Sequence, residues 1–189
     1  ADRPGTCGDD TPENTNLTCS FSDGDIARGI DQAVSSGATV INLSLGGGGV
    51  GSATLAAVRR AASAGIVIVV AAGNGGDGSK ADVDPNQPTP FASGIREAGG
   101  SNVIIVGSID EGSQISSFSQ RAGSQATFYL TARGERICCV YENGQIFVGR
   151  DERGSFRLLF SGTSFAAPQV AGAVALMAQA FPNLTGAQI

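Results

Sequence analysis

The run Val67-Ile68-Val69-Val70-Ala71-Ala72 constrains this chain most, because an extended strand built only from apolar side chains has no face to turn to water. Such a strand is buried on both sides, as in a parallel sheet held between layers of helix. The surrounding pattern agrees. A helix opened by Asp23 or Asp25 carries Ile26, Ile30 and Val34 on one face and closes at Gly37. Strand Thr39 to Leu43 follows, then helix Ser52 to Ser63 closed by Gly65, strand Ile66 to Ala71 and, after a long connection, strand Val103 to Val106. Alternating strands and helices require right-handed crossovers, so the expected class is α/β: a mainly parallel β-sheet with helices on both faces, in three αβα layers. Pro85, Pro88 and Pro90 mark residues 75 to 101 as irregular, and a connection of that length is too long to be idle.

Gly162-Thr163-Ser164-Phe165-Ala166-Ala167-Pro168 carries the strongest chemical signal. From Pro168 onward, Val170, Val174 and Met177 with Ala171, Ala175 and Ala178 recur at helical spacing, which predicts a helix to about Ala180 that stops before Pro182. With Pro168 in its first turn, Ser164 falls at or just before the helix start, where unpaired N–H groups and the positive dipole end favour developing negative charge. Alone, such a serine reads as an N-cap. Two upstream segments change that reading. Asn74 follows the apolar run within Gly73-Asn74-Gly75-Gly76, at a strand's carboxyl end, where its side-chain N–H can donate to an oxyanion. Strand Val40 to Leu45 leads into Gly46 to Gly49, and glycines there let an extended peptide approach the backbone. In isolation Asn74 would be a turn residue and Gly46 to Gly49 a flexible loop.

Ile41-Asn42-Leu43-Ser44-Leu45-Gly46-Gly47, Ala71-Ala72-Gly73-Asn74 and Gly162-Thr163-Ser164-Phe165-Ala166-Ala167-Pro168-Gln169-Val170-Ala171-Gly172 together resemble the subtilisin-like serine proteases, the subtilases of peptidase family S8. The resemblance thins before Asp23 and between Arg133 and Ser161. It implies a serine endopeptidase acting on polypeptides, with Ser164 as nucleophile and Asn74 as oxyanion donor beside the Ser164 backbone N–H. It also implies that Ser44, Leu45 and Gly46 pair with the substrate backbone. Gly46-Gly47 and Ala71-Ala72-Gly73 would wall the pocket for the residue before the scissile bond, a broad slot suited to a large apolar side chain. The family's full-length domain admits calcium; no metal ligand is assigned here, and Asp82 and Asp84 read as a solvated loop.

The chain contains no histidine. Related sedolisins use a glutamate base, but they carry aspartate at the position of Asn74; a Ser-Lys pair would have to use Lys80, the only lysine. In subtilases the triad runs Asp, His, Ser along the chain. Residues 1 to 22 hold no His-Gly-Thr, Asp-Thr-Gly or Asp-Ser-Gly segment. The expectation is therefore that residues 1–189 are an incomplete catalytic domain, lacking the amino-terminal Asp- and His-bearing part and the carboxyl-terminal end, with residues 183–189 opening a further helix. The isolated chain would then be nearly inactive, and the missing amino-terminal part would be its natural partner. The competing class is a pseudoprotease or peptide-binding scaffold, separated from a protease by whether Asp and His motifs precede Ala1.

Residues 134–160 depart from the simpler family members. Ile137 to Tyr141 and Gln145 to Val148, joined through Glu142-Asn143-Gly144, predict an inserted β-hairpin. Arg133 and Gln169 stand where the family commonly has proline and histidine. Four cysteines allow three pairings. Cys7 with Cys19 would close a polar loop, whereas Cys138 and Cys139 point to opposite faces of a strand. The pattern fits a secreted, periplasmic or cell-surface setting. A net charge of −5 without a basic cluster argues against nucleic acid as a partner, and no apolar run reaches the ~20 residues of a membrane span.

Overall fold

The computed structural model describes residues 21–138, 140–142, 145–147 and 159–189. Among them, β1 (Val40–Leu43), β2 (Val67–Ala71), β3 (Val103–Ile109) and β4 (Tyr129–Arg133) form one parallel sheet in the order β1-β2-β3-β4. Val40 lies opposite Val67, Ile68 opposite Val103, and Ile105 opposite Tyr129. The helices are α1 (Asp23–Ser35), α2 (Ser52–Ser63), α3 (Pro90–Gly99) and α4 (Thr163–Ala180).

Strand β2 is buried along its whole length, as its composition requires. Ile68 and Val70 face a core shared with Ile30 of α1, Val58 of α2 and Ile95 of α3. Val67, Val69 and Ala71 face the other way, onto Ala166, Ala167, Val170 and Val174 of α4. Three helices thus cover one face and α4 crosses the other, which is the expected three-layer α/β arrangement. Positive φ at Gly37 and Gly65 closes α1 and α2, as the glycine positions predict.

Three local expectations change. First, Ser22 caps α1, its Oγ accepting from the Asp25 N–H, while Asp23 does other work. Its carboxylate accepts from the N–H groups of Ala53 and Thr54, each at 3.0 Å, and so caps α2, whose own N-cap residue, Gly51, has no side chain. A Cβ at Gly51 would strike that carboxylate. Second, the stretch 75–101 contains a regular helix. Thr89 caps α3, Pro90 occupies its first turn, and Phe91, Ala92, Ile95 and Gly99 are its buried stripe. The three prolines disguised a helix start as a loop. Third, α4 begins at Thr163, five residues before Pro168, and Met177 is exposed.

Beyond β4, β5 (Ile137–Cys138) pairs antiparallel with β8 (Leu159–Phe160), and β6 (Val140–Glu142) with β7 (Gln145–Phe147). The predicted strand 137–141 is therefore shared between two ribbons. Glu142 lies opposite Gln145; Asn143, Gly144 and Val148 lie outside the described residues, as do Cys7, Cys19 and Cys139. At the carboxyl end, residues 183–189 form turns, with the Thr185 N–H and Oγ1 both donating to Gln188 Oε1. No described helix is long and apolar enough to cross a membrane.

Hydrogen bonding to Thr54, reinforced by the Ala53 N–H, holds the Asp23 carboxyl below its usual range. A depressed folded pKa stabilises the fold above the unfolded value of about 4 and loses that contribution as pH falls through the folded value. D23A should therefore lower the melting temperature by a few degrees at neutral pH, and the gap to wild type should close as the pH is taken below about 4. Circular-dichroism melts across that range check this; a gap independent of pH would contradict it.

Candidate active site

The carboxyl ends of β1 and β2 and the start of α4 meet at one cavity of about 670 Å³. Leu45, Gly46 and Gly47 after β1, Ala71, Gly73 and Asn74 at the end of β2, and Ser164 of α4 all line it. Both strands run in the same direction, so their ends open on the same side of the sheet as the α4 N-terminus.

Asn74 is oriented by its neighbour in space, Thr163. The Thr163 N–H donates to Asn74 Oδ1 at 2.8 Å, and Thr163 Oγ1 donates to the same oxygen at 2.9 Å. Two donors on one atom identify it as the amide oxygen, so the Nδ2 end is turned away from those two donors. Thr163 Oγ1 also accepts from the Gly73 N–H at 3.2 Å. A single buried hydroxyl therefore ties the end of β2 to the first residue of α4. Ser164, half-buried, is the second residue of that helix, where a backbone N–H has no intrahelical acceptor.

Residues 12–189 match the Subtilase family. This chain belongs to the subtilase family. Subtilisin DY from Bacillus licheniformis is 33% identical to it over 165 residues, which are 87% of this chain and 51% of that protein. Subtilisin amylosacchariticus from Bacillus subtilis subsp. amylosacchariticus is 35% identical over 165 residues, 87% of this chain and 37% of the relative. This subtilase thus spans about half or less of the length of the curated relatives it matches. Among solved structures, that of a cold adapted subtilisin-like serine proteinase aligns with a TM-score of 0.67 at 30% identity, covering 91% of this chain and 54% of the other. MycP1 with the N-terminal propeptide removed aligns at 0.63 and 27%, covering 97% and 66%.

Of the residues singled out in the subtilase sequence, Ala72 and Ser44 do not line this cavity. The Ala72 side chain is buried in the helix-packed core, its N–H donates to the Val106 carbonyl at 2.9 Å, and its carbonyl accepts from the Thr89 N–H at 2.9 Å. Ser44 faces the α4 turn, donating from Oγ to the Ser164 carbonyl at 2.9 Å. The two departures at Arg133 and Gln169 are joined, because Gln169 Nε2 donates to the Arg133 carbonyl at 2.5 Å.

Sequence reasoning missed two site residues. Thr163 was readable only as part of its motif, since nothing local shows a hydroxyl reaching 89 residues back to Asn74. Gln120, buried behind Gly73, donates from Nε2 to the Gln87 carbonyl at 2.7 Å and to the Asp84 carbonyl at 3.2 Å. Its own N–H donates to the Gly73 carbonyl at 3.1 Å, and its carbonyl accepts from Tyr129 Oη at 2.5 Å. Burial pushes the Tyr129 phenol up, so it remains a donor. Gln120 thereby ties Asp84 and Gln87, which line the cavity with it, to the end of β2 and leaves no room for a Cβ at Gly73, where φ is +117°.

T163V keeps the shape of the side chain but strands the Gly73 N–H and leaves Asn74 Oδ1 with the residue 163 backbone N–H alone. The expected loss is about 1–3 kcal/mol of stability, measured by urea unfolding; a neutral result would show that Gly73 and Asn74 are held by other contacts.

Proposed function

We propose that this chain is the carboxyl-side part of a serine endopeptidase domain, in which Ser164 attacks the scissile carbonyl and Asn74 Nδ2 with the Ser164 N–H receives the oxyanion. The observation that carries this reading is the pinned Asn74 amide, held by Thr163 one residue before Ser164 in the wall of a shared cavity. Attack on an amide moves the carbonyl electron pair onto oxygen, and fixed donors stabilise that charge without reorganising. The relatives' descriptions, subtilisins and a subtilisin-like serine proteinase, agree with it.

Substrate would lie extended against Ser44, Leu45 and Gly46, its side chain before the scissile bond entering between Gly46-Gly47 and Ala71-Gly73. The apolar rims favour a large apolar side chain, with the Gln120 wall setting the depth. A general base and its orienting aspartate come from outside this chain, which has no histidine. The domain is proposed to work outside the cytoplasm, consistent with its four cysteines.

The absence of histidine also favours a second reading, a pseudoprotease that binds extended peptides without cleaving them. In the full-length protein, hydrolysis of a chromogenic peptide and fluorophosphonate labelling at Ser164 support the protease, whereas peptide binding without either supports the second reading. N74A should lower kcat by roughly a hundred- to a thousandfold with KM little changed, the expected cost of one oxyanion donor. Unchanged kcat would remove Asn74 from the mechanism. The isolated chain should label slowly, and rapid labelling of Ser164 would show that it holds a base of its own.

A further inference from the structure

The Ser164 carbonyl is deprived of its ordinary partner by the sequence itself. In a continuous α-helix it would accept from the N–H four residues on, but residue 168 is proline and has none. Ser44 Oγ, 120 residues away in the chain, donates to that oxygen at 2.9 Å in a partly buried position. Asn42 Nδ2 in turn donates to Ser44 Oγ at 2.9 Å. A hydroxyl has one proton; with Asn42 supplying a donor to its oxygen, that proton is directed at Ser164, and the two bonds polarise each other.

We propose that Asn42 and Ser44 form a hydrogen-bond relay that replaces the N–H missing at Pro168 and sets the backbone position of Ser164. Ser44 is then a positioning residue through its side chain, in addition to any pairing of its backbone with substrate. The inference rests on the reading of Ser164 as nucleophile. It gives Pro168 a purpose as well: by removing the helix's own donor, it leaves the Ser164 carbonyl to be held from β1. The segment that would align the substrate is thereby joined directly to the residue that attacks it. Because nucleophilic attack requires a near-contact approach in the correct orientation, a small displacement between them is costly.

The test is a double-mutant cycle in the full-length protein, with each variant checked for folding and normalised by active-site titration. S44A should lower kcat roughly tenfold with KM within about twofold. In the P168A background, where the helix regains its own N–H, the same substitution should cost less than about threefold. Equal losses in both backgrounds, or a loss confined to KM, would overturn the proposal. S164A separates this from the underlying reading: hydrolysis that survives S164A removes the nucleophile, whereas Ser164-dependent hydrolysis indifferent to S44A removes only the positioning role. A second measurement needs no turnover. With ¹³C-carbonyl serine and ¹⁵N-phenylalanine labelling, the Ser164–Phe165 carbonyl resonance should move upfield in S44A and return in S44A/P168A. A resonance unmoved by S44A would show that the relay does not hold this carbonyl.

Discussion

Everything in this fold depends on burying β2 from both sides. A strand with no polar side chain can be placed only between two apolar layers, inside the sheet with β1 and β3 on either side. The alternation of Ile68 and Val70 with Val67, Val69 and Ala71 then assigns α1, α2 and α3 to one face and α4 to the other. The position of the site follows from the same constraint. Parallel strands end together, so Asn74 and the glycines after β1 emerge beside the helix that packs over them.

The site is assembled by a few long-range hydrogen bonds placed on this frame. Thr163 joins β2 to α4 through Gly73 and Asn74, and Ser44 joins β1 to α4 through the Ser164 carbonyl. Both end at the first two residues of α4, so the turn that carries Ser164 is held from two adjacent strands. Close backbone packing completes it: Gly73 lies against Gln120 and Thr89 with no space for a side chain. The Gly73–Thr163 bond is buried and the others are partly so, and shielding from water makes such a bond costly to break.

Much of the fold was legible because its signals are local. Helical spacing in residues 23–35 and 52–63, glycines at 37 and 65, the strand pattern at 39–43 and the apolar run at 66–71 each act within a few residues. Where proline appeared, locality misled. Pro90 starts a helix, and Pro168 lies inside one, with Ser44 Oγ donating to the carbonyl that proline leaves without its backbone N–H. Asp23 misled for a related reason: its position suits capping α1, but its carboxylate reaches across to α2, and sequence spacing holds no record of that distance.

The sequence by itself determined the layers, the strand direction and the three segments from which the site is built, because burial and helix periodicity are properties of neighbouring residues. Only the tertiary structure decided which end of the Asn74 amide faces Thr163, that Gln120 lines the cavity, and that Ser44 donates to the Ser164 carbonyl. Those outcomes depend on hydrogen bonds between residues 33 to 120 positions apart. Their partners become neighbours only after the sheet has formed, and hydrogen-bond geometry then selects among contacts that composition leaves equal.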